Sequence, residues 1–133
     1  MTREEIEKMT LAFTDAFNRD DLESVMSFFT EDGIYEELNA RRSAGKAAIR
    51  AAFEPQFQGA FGKVRFVQED LFVDAAAGKS MIAWTCTLET PRGPAAWRGL
   101  DLLHWRGGKL ALKQTYCKAK VPQLKTETGK PTQ

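Results

Sequence analysis

Between Thr2 and Phe17, apolar side chains recur at three- and four-residue spacing (Ile6, Met9, Phe13, Phe17), while Glu4, Glu5, Glu7, Lys8 and Asp15 fill other positions. That spacing predicts an amphipathic helix. Asn18-Arg19-Asp20-Asp21 breaks the pattern. Asp20, followed three residues later by Glu23, has the form of a capping box, and Leu22, Val25, Met26, Phe28 and Phe29 carry a second helix from it. Thr30-Glu31-Asp32-Gly33 is expected to end that helix, followed by a short strand from Ile34 to Leu38 and a polar stretch over Asn39–Ser43. A third helix is expected from about Gly45 to Phe53, with Pro55 placed to stop it, because proline removes a helical donor and clashes with the preceding turn.

Beyond Pro55 the period changes to two. Val64 to Val73 forms one extended segment, Asp74 to Gly78 turns, and Lys79 to Thr90 places Ile82, Trp84, Cys86 and Leu88 on one face of a long strand. Pro91-Arg92-Gly93-Pro94 leads into a strand over Ala95–Trp105, and Gly107-Gly108 is a hairpin signal before Lys109–Lys118. Two helices, a strand, a helix and then four strands predict an α+β domain with helices packed on one side of a mostly antiparallel sheet. Residues 122–133, rich in Lys, Thr, Pro and Gln, are expected to be a flexible tail on a domain spanning 1–121.

Composition narrows the chemistry. A chain of 133 residues has room for one domain with a core that needs no metal or disulfide framework. With 19 basic and 18 acidic side chains, its net charge of +1 gives no bulk attraction for nucleic acid or anionic lipid, so neither is expected as a partner. Cys86 and Cys117 lie far apart and His104 is the sole histidine, so no metal site and no cofactor are expected. Both cysteines read as reduced thiols. The charged start and the lack of any run near the ~20 apolar residues of a membrane span give a cytoplasmic expectation.

Four stretches carry a resemblance. Phe17-Asn18-Arg19-Asp20-Asp21-Leu22-Glu23-Ser24-Val25 is similar to the break between the first two helices of the superfamily of nuclear transport factor 2, ketosteroid isomerase and SnoaL-like polyketide cyclases. Phe28 to Glu37 resembles that superfamily's approach to its first strand, and Gly45 to Phe53 its third helix. Gly99-Leu100-Asp101-Leu102-Leu103-His104-Trp105 with Gly107-Gly108-Lys109-Leu110 resembles its penultimate hairpin. The resemblance implies three helices and a cone-shaped, strongly curved, mostly antiparallel sheet wrapped around the long N-terminal helix. It also implies a pocket open at one end and a homodimer through the outer sheet face.

Counted along that resemblance, Glu37 falls at the carboxylate base of ketosteroid isomerase and Asp101 at its oxyanion-hole acid. Asp101 lies among Leu100, Leu102 and Leu103, where an acid either finds a partner or has its pKa raised. Lys113 is the rival partner, since the hairpin folds its strand back beside Asp101; a buried ion pair would keep the aspartate charged and unable to donate. Glu37 is either the base or a solvated strand-end carboxylate. The isomerases have a tyrosine where this chain has Phe13, which offers no donor, so steroid isomerisation is not expected. His104 should face away from Asp101.

The expected pocket lining comprises Phe13, Phe17, Tyr35, Phe53, Trp84, Trp97, Lys113 and Tyr116, with Phe28 and Phe29 near its mouth. Such a cavity suits a small, largely apolar or aromatic molecule bearing a carbonyl or hydroxyl. Two readings follow: a cofactor-independent isomerase, cyclase or dehydratase with Glu37 as base and Asp101 as polariser, or a noncatalytic ligand-binding or dimerisation module.

Overall fold

The structure, a computed structural model, describes residues 1–118 and two short strands beyond them. The expected tail over 122–133 lies outside the described residues apart from those strands, Leu124–Lys125 and Pro131–Thr132, which pair with each other.

Helix α1 (Arg3–Asn18) opens on a capping box: Glu5 N–H donates to the Thr2 hydroxyl, and Thr2 N–H donates to the Glu5 carboxylate. Its apolar stripe buries Ile6, Phe13, Ala16 and Phe17. Thr10 on the same stripe is buried and tied to the sheet. Trp105 Nε1 donates to Ser80 Oγ at 2.9 Å, and Ser80 and Thr10 hydroxyls lie 2.7 Å apart. The one Thr10 hydroxyl proton goes to the Ile6 carbonyl at 2.7 Å, so Ser80 is the donor to Thr10 while it accepts from the indole. Every member of this buried chain is satisfied. At the other end of α1, the Asn18 amide exchanges two hydrogen bonds with the Phe66 backbone, at 2.9 and 2.8 Å.

Helix α2 (Leu22–Phe28) is capped by Asp21, one residue later than the sequence pattern indicates. Asp21 accepts from the Ser24 backbone and hydroxyl, whereas Asp20 occupies a left-handed turn at φ 55° and pairs with Arg65. Aspartate tolerates that conformation, and the turn takes Asp20 out of capping position.

Strand β1 (Phe29–Glu36) begins where a turn was expected. The step from Phe29 to Ile34 on β1 faces only the step from Leu110 to Leu112 on β6 (Lys109–Cys117), so Thr30–Gly33 is taken up in a bulge and does not end the segment. The polar stretch after it contains β2 (Arg42–Ala44), a three-residue edge strand too short for alternation to show. Helix α3 (Lys46–Phe57) runs through Pro55. The carbonyl that Pro55 deprives of a donor is that of Ala51, and both residues are exposed, so water can take the donor's place.

Strands β3 (Arg65–Asp74), β4 (Lys79–Thr90) and β5 (Gly93–Arg106) complete one sheet in the order β2-β1-β6-β5-β4-β3. Its β1–β6 pairing is parallel and the other pairings are antiparallel. The fold is thus α+β, a curved, mostly antiparallel sheet with three helices against its inner face. Ile82, Trp84, Cys86, Leu88, Leu103, Trp105 and Leu110 meet the helices there as one core.

Candidate functional site

A cavity of about 260 Å3 opens between the inner face of the sheet, α1 and α3. Register decides its polar wall. On β5, Asp101 stands opposite Thr115 and Leu103 opposite Lys113, and on β1 Tyr35 stands beside Lys113. Alternation then carries Glu37, just past the end of β1, to the same inner face. Glu37, Tyr35, Asp101, Lys113 and Thr115 all line the cavity.

Asp101 and Lys113 are only 7% and 5% exposed, and their charged ends meet at 3.1 Å. Asp101 Oδ1 also accepts from the Thr115 hydroxyl at 2.6 Å, while Oδ2 accepts from Trp84 Nε1 at 3.2 Å. The aspartate is a satisfied carboxylate, and hence an acceptor with no proton to offer a ligand. Burial works against the Lys113 ammonium, but the charge and hydrogen bond of Asp101, together with Tyr35 and Cys117 nearby, outweigh that cost and leave its pKa raised. Lys113 is therefore a cation at neutral pH. Its Nζ donates to Thr115 at 2.7 Å and lies 4.5 Å from the centre of the Tyr35 ring. Burial pushes the Tyr35 phenol up, so it stays protonated.

Glu37 differs. Its Oε2 is buried and has no hydrogen-bond partner among the described residues; Arg41 Nε forms a long ion pair with it at 3.9 Å. Glu37 thus lines the cavity with a carboxylate oxygen that no hydrogen bond engages.

The rest of the wall is aromatic. Phe17 meets Phe13 and Phe53 edge-on at 5.2 Å, and Tyr35 stacks on Phe53 at 4.7 Å. Leu38, Phe61 and Trp97 line the cavity while remaining more than a third exposed, which marks its open end.

Residues 10–112 match the model of the SnoaL-like domain. The chain belongs to the SnoaL-like family. Among curated proteins, none matches it. Solved structures share the fold at low identity. A protein proposed to be a polyketide cyclase from Xanthomonas campestris pv. campestris is 18% identical, with TM-score 0.72 over 86% of this chain and 90% of its own. An NTF2-like protein of unknown function from Mesorhizobium loti is 21% identical, with TM-score 0.73 over 88% and 93%. TerC, co-crystallised with polyporic acid, is 17% identical, with TM-score 0.72 over 86% and 92%. These likenesses establish the nuclear transport factor 2-like fold.

In this SnoaL-like protein, Glu37, Asp101, Phe13, Phe17, Tyr35, Phe53, Trp84, Trp97 and Lys113 lie around one cavity. Tyr116 does not. Its neighbour Thr115 points inward, so alternation turns Tyr116 to the outer face, where it is 51% exposed. Phe28 and Phe29 pack edge-on against Phe13 in the core behind the cavity, not at its mouth. His104 faces outward and bonds Gln114 at 2.7 Å. Among residues missed, Thr115 was reachable by stepping two from Lys113. Phe61 was not, because it sits in an irregular turn with no period to extend.

Proposed function

We propose that this SnoaL-like protein binds a small, largely apolar molecule in the aromatic cavity and moves a proton on it, without a cofactor, as isomerases, cyclases and dehydratases do. The observation that carries the reading is Glu37 Oε2, buried at the cavity wall with no donor. A ligand C–H beside a carbonyl would give its proton to Glu37; the C–H electron pair becomes the enolate double bond, and the carbonyl π pair moves to oxygen. Return of the proton at another atom completes an isomerisation. The aromatic lining and the polyporic acid co-crystallised with TerC support an aromatic or otherwise flat ligand. The cyclase proposed for the Xanthomonas relative supports the reaction class.

The test uses 2-acetonaphthone, an aromatic methyl ketone, in D2O. Proton NMR follows exchange of its methyl hydrogens with wild-type protein and with Glu37→Gln. Exchange that requires Glu37 supports the reading. Binding without exchange overturns the catalytic part and leaves the noncatalytic binding module, a reading favoured by the satisfied state of Asp101. Failure to bind overturns both.

The same reading includes a homodimer through the outer sheet face, supported by exposed Val67, Phe72 and Tyr116 on that side. A cytoplasmic location belongs to it as well, in keeping with the unpaired thiols of Cys86 and Cys117.

A further inference from the structure

An ammonium group carries three donors. Lys113 Nζ gives one to Asp101 Oδ1 at 3.1 Å and one to Thr115 Oγ1 at 2.7 Å. For the third, the described residues hold no oxygen or nitrogen acceptor; what surrounds it are the rings of Tyr35, Phe17 and Phe53, with centres 4.5, 5.7 and 5.7 Å from Nζ. All three rings line the cavity. A cation held against aromatic faces gains from them, but less than from a carbonyl or enolate oxygen within hydrogen-bond reach.

Asp101 and Thr115 fix this nitrogen on β6, and Glu37 sits on the same inner face two residues beyond Tyr35, the β1 partner of Lys113. A proton acceptor and a cationic donor thus flank one aromatic wall. We infer that Lys113, positioned by Asp101 and Thr115, is the group that binds the oxygen of the ligand, and that the ligand class is an aromatic ketone with a hydrogen on the carbon next to its carbonyl. This rests on the reading above and moves polarisation of the carbonyl from Asp101 to Lys113. As Glu37 takes the proton, the charge that collects on the ligand oxygen is met by the third N–H of Lys113. No proton need leave the lysine, whose charge Asp101 continues to balance. Asp101 is then a positioning residue.

The experiment compares 2-acetonaphthone with 2-isopropenylnaphthalene, in which a CH2 replaces the carbonyl oxygen, by competition for the cavity in wild-type protein, Lys113→Met and the double variant Asp101→Asn/Lys113→Met. The double variant keeps the site neutral where the single one leaves Asp101 buried without its cation. One hydrogen bond to a charged donor predicts that the preference for the ketone over the hydrocarbon falls about tenfold or more in whichever lysine variant folds. In wild-type protein, the carbonyl stretch of the bound ketone should lie below its value in hexane.

A preference unchanged without Lys113, or a wild-type stretch no lower than in hexane, overturns the inference while leaving the cavity and Glu37 untouched. If neither compound binds wild-type protein, the reading of the cavity falls and this inference with it.

Discussion

Asp101 and Lys113 show how one partner changes what an acid can do. Alone among leucines, Asp101 would be driven toward its neutral form. With Lys113 at 3.1 Å, Thr115 and the Trp84 indole, it is a charged acceptor with every oxygen engaged. The sequence left both outcomes open because they differ only in which β6 residue reaches β5, and a slip of one residue would reverse it. Three buried groups make a prediction for alkaline solution. Lys113 is raised from 10.5 by Asp101 against the cost of burial, Tyr35 is raised from 10.0 by burial, and Cys86 is raised from 9.0 to about 11 by burial. Each binds its proton more tightly folded than unfolded, so stability is fully present below the unfolded pKa and is lost as pH rises through the folded one. Urea unfolding should show stability falling from about pH 9 upward, led by the thiols, Cys86 and also Cys117, which burial raises from 9.0 as well. Cys86→Ala should reduce the slope between pH 9 and about 11; an unaltered slope would contradict that assignment.

At the scale of elements, the wall of the site depends on close approach between strands. A methyl added at Gly99 on β5 would sit 2.5 Å from the Tyr116 carbonyl and 2.6 Å from the Trp84 ring. The ring is the one whose N–H holds Asp101. Gly99→Ala should therefore cost about 1–3 kcal/mol of stability, as overpacking does, measured as a shift in urea midpoint. A variant as stable as wild type would show that Trp84 has room to move. Helices α1 and α3 and the long strands were legible because their apolar periods run over three turns or more of helix and over whole strands. Features set by partners were not. The bulge at Thr30–Gly33 depends on where β6 lies, β2 on an edge that only β1 supplies, and the continuation of α3 through Pro55 on an exposed carbonyl. Of the site, Glu37, Asp101 and the aromatic wall could be placed from the resemblance and alternation. Tyr116 went to the wrong face because Thr115, not Tyr116, shares the phase of Lys113.

For the molecule as a whole, the curved sheet has two faces of different composition. The inner one builds the core and the cavity. The outer one carries Leu100 and Leu102 with the exposed Val67, Phe72 and Tyr116, and beside them His104, Gln114, Glu36 and Arg42 joined in a polar row. The Arg98–Glu69 ion pair and Lys118 lie among the apolar side chains near Tyr116. Sedimentation at micromolar concentration should give a dimer, and Phe72→Glu with Tyr116→Glu should give a monomer; a wild-type monomer would contradict the proposed association. The proposed chemistry lies on the other face, and it rests on Glu37. The direct measurement is deuterium uptake into the methyl group of 2-acetonaphthone, followed by NMR with wild-type and Glu37→Gln protein at equal occupancy. Loss of a positioned base predicts that the variant exchanges about a hundredfold or more slowly. Equal rates in the two proteins would show that Glu37 is not the proton acceptor.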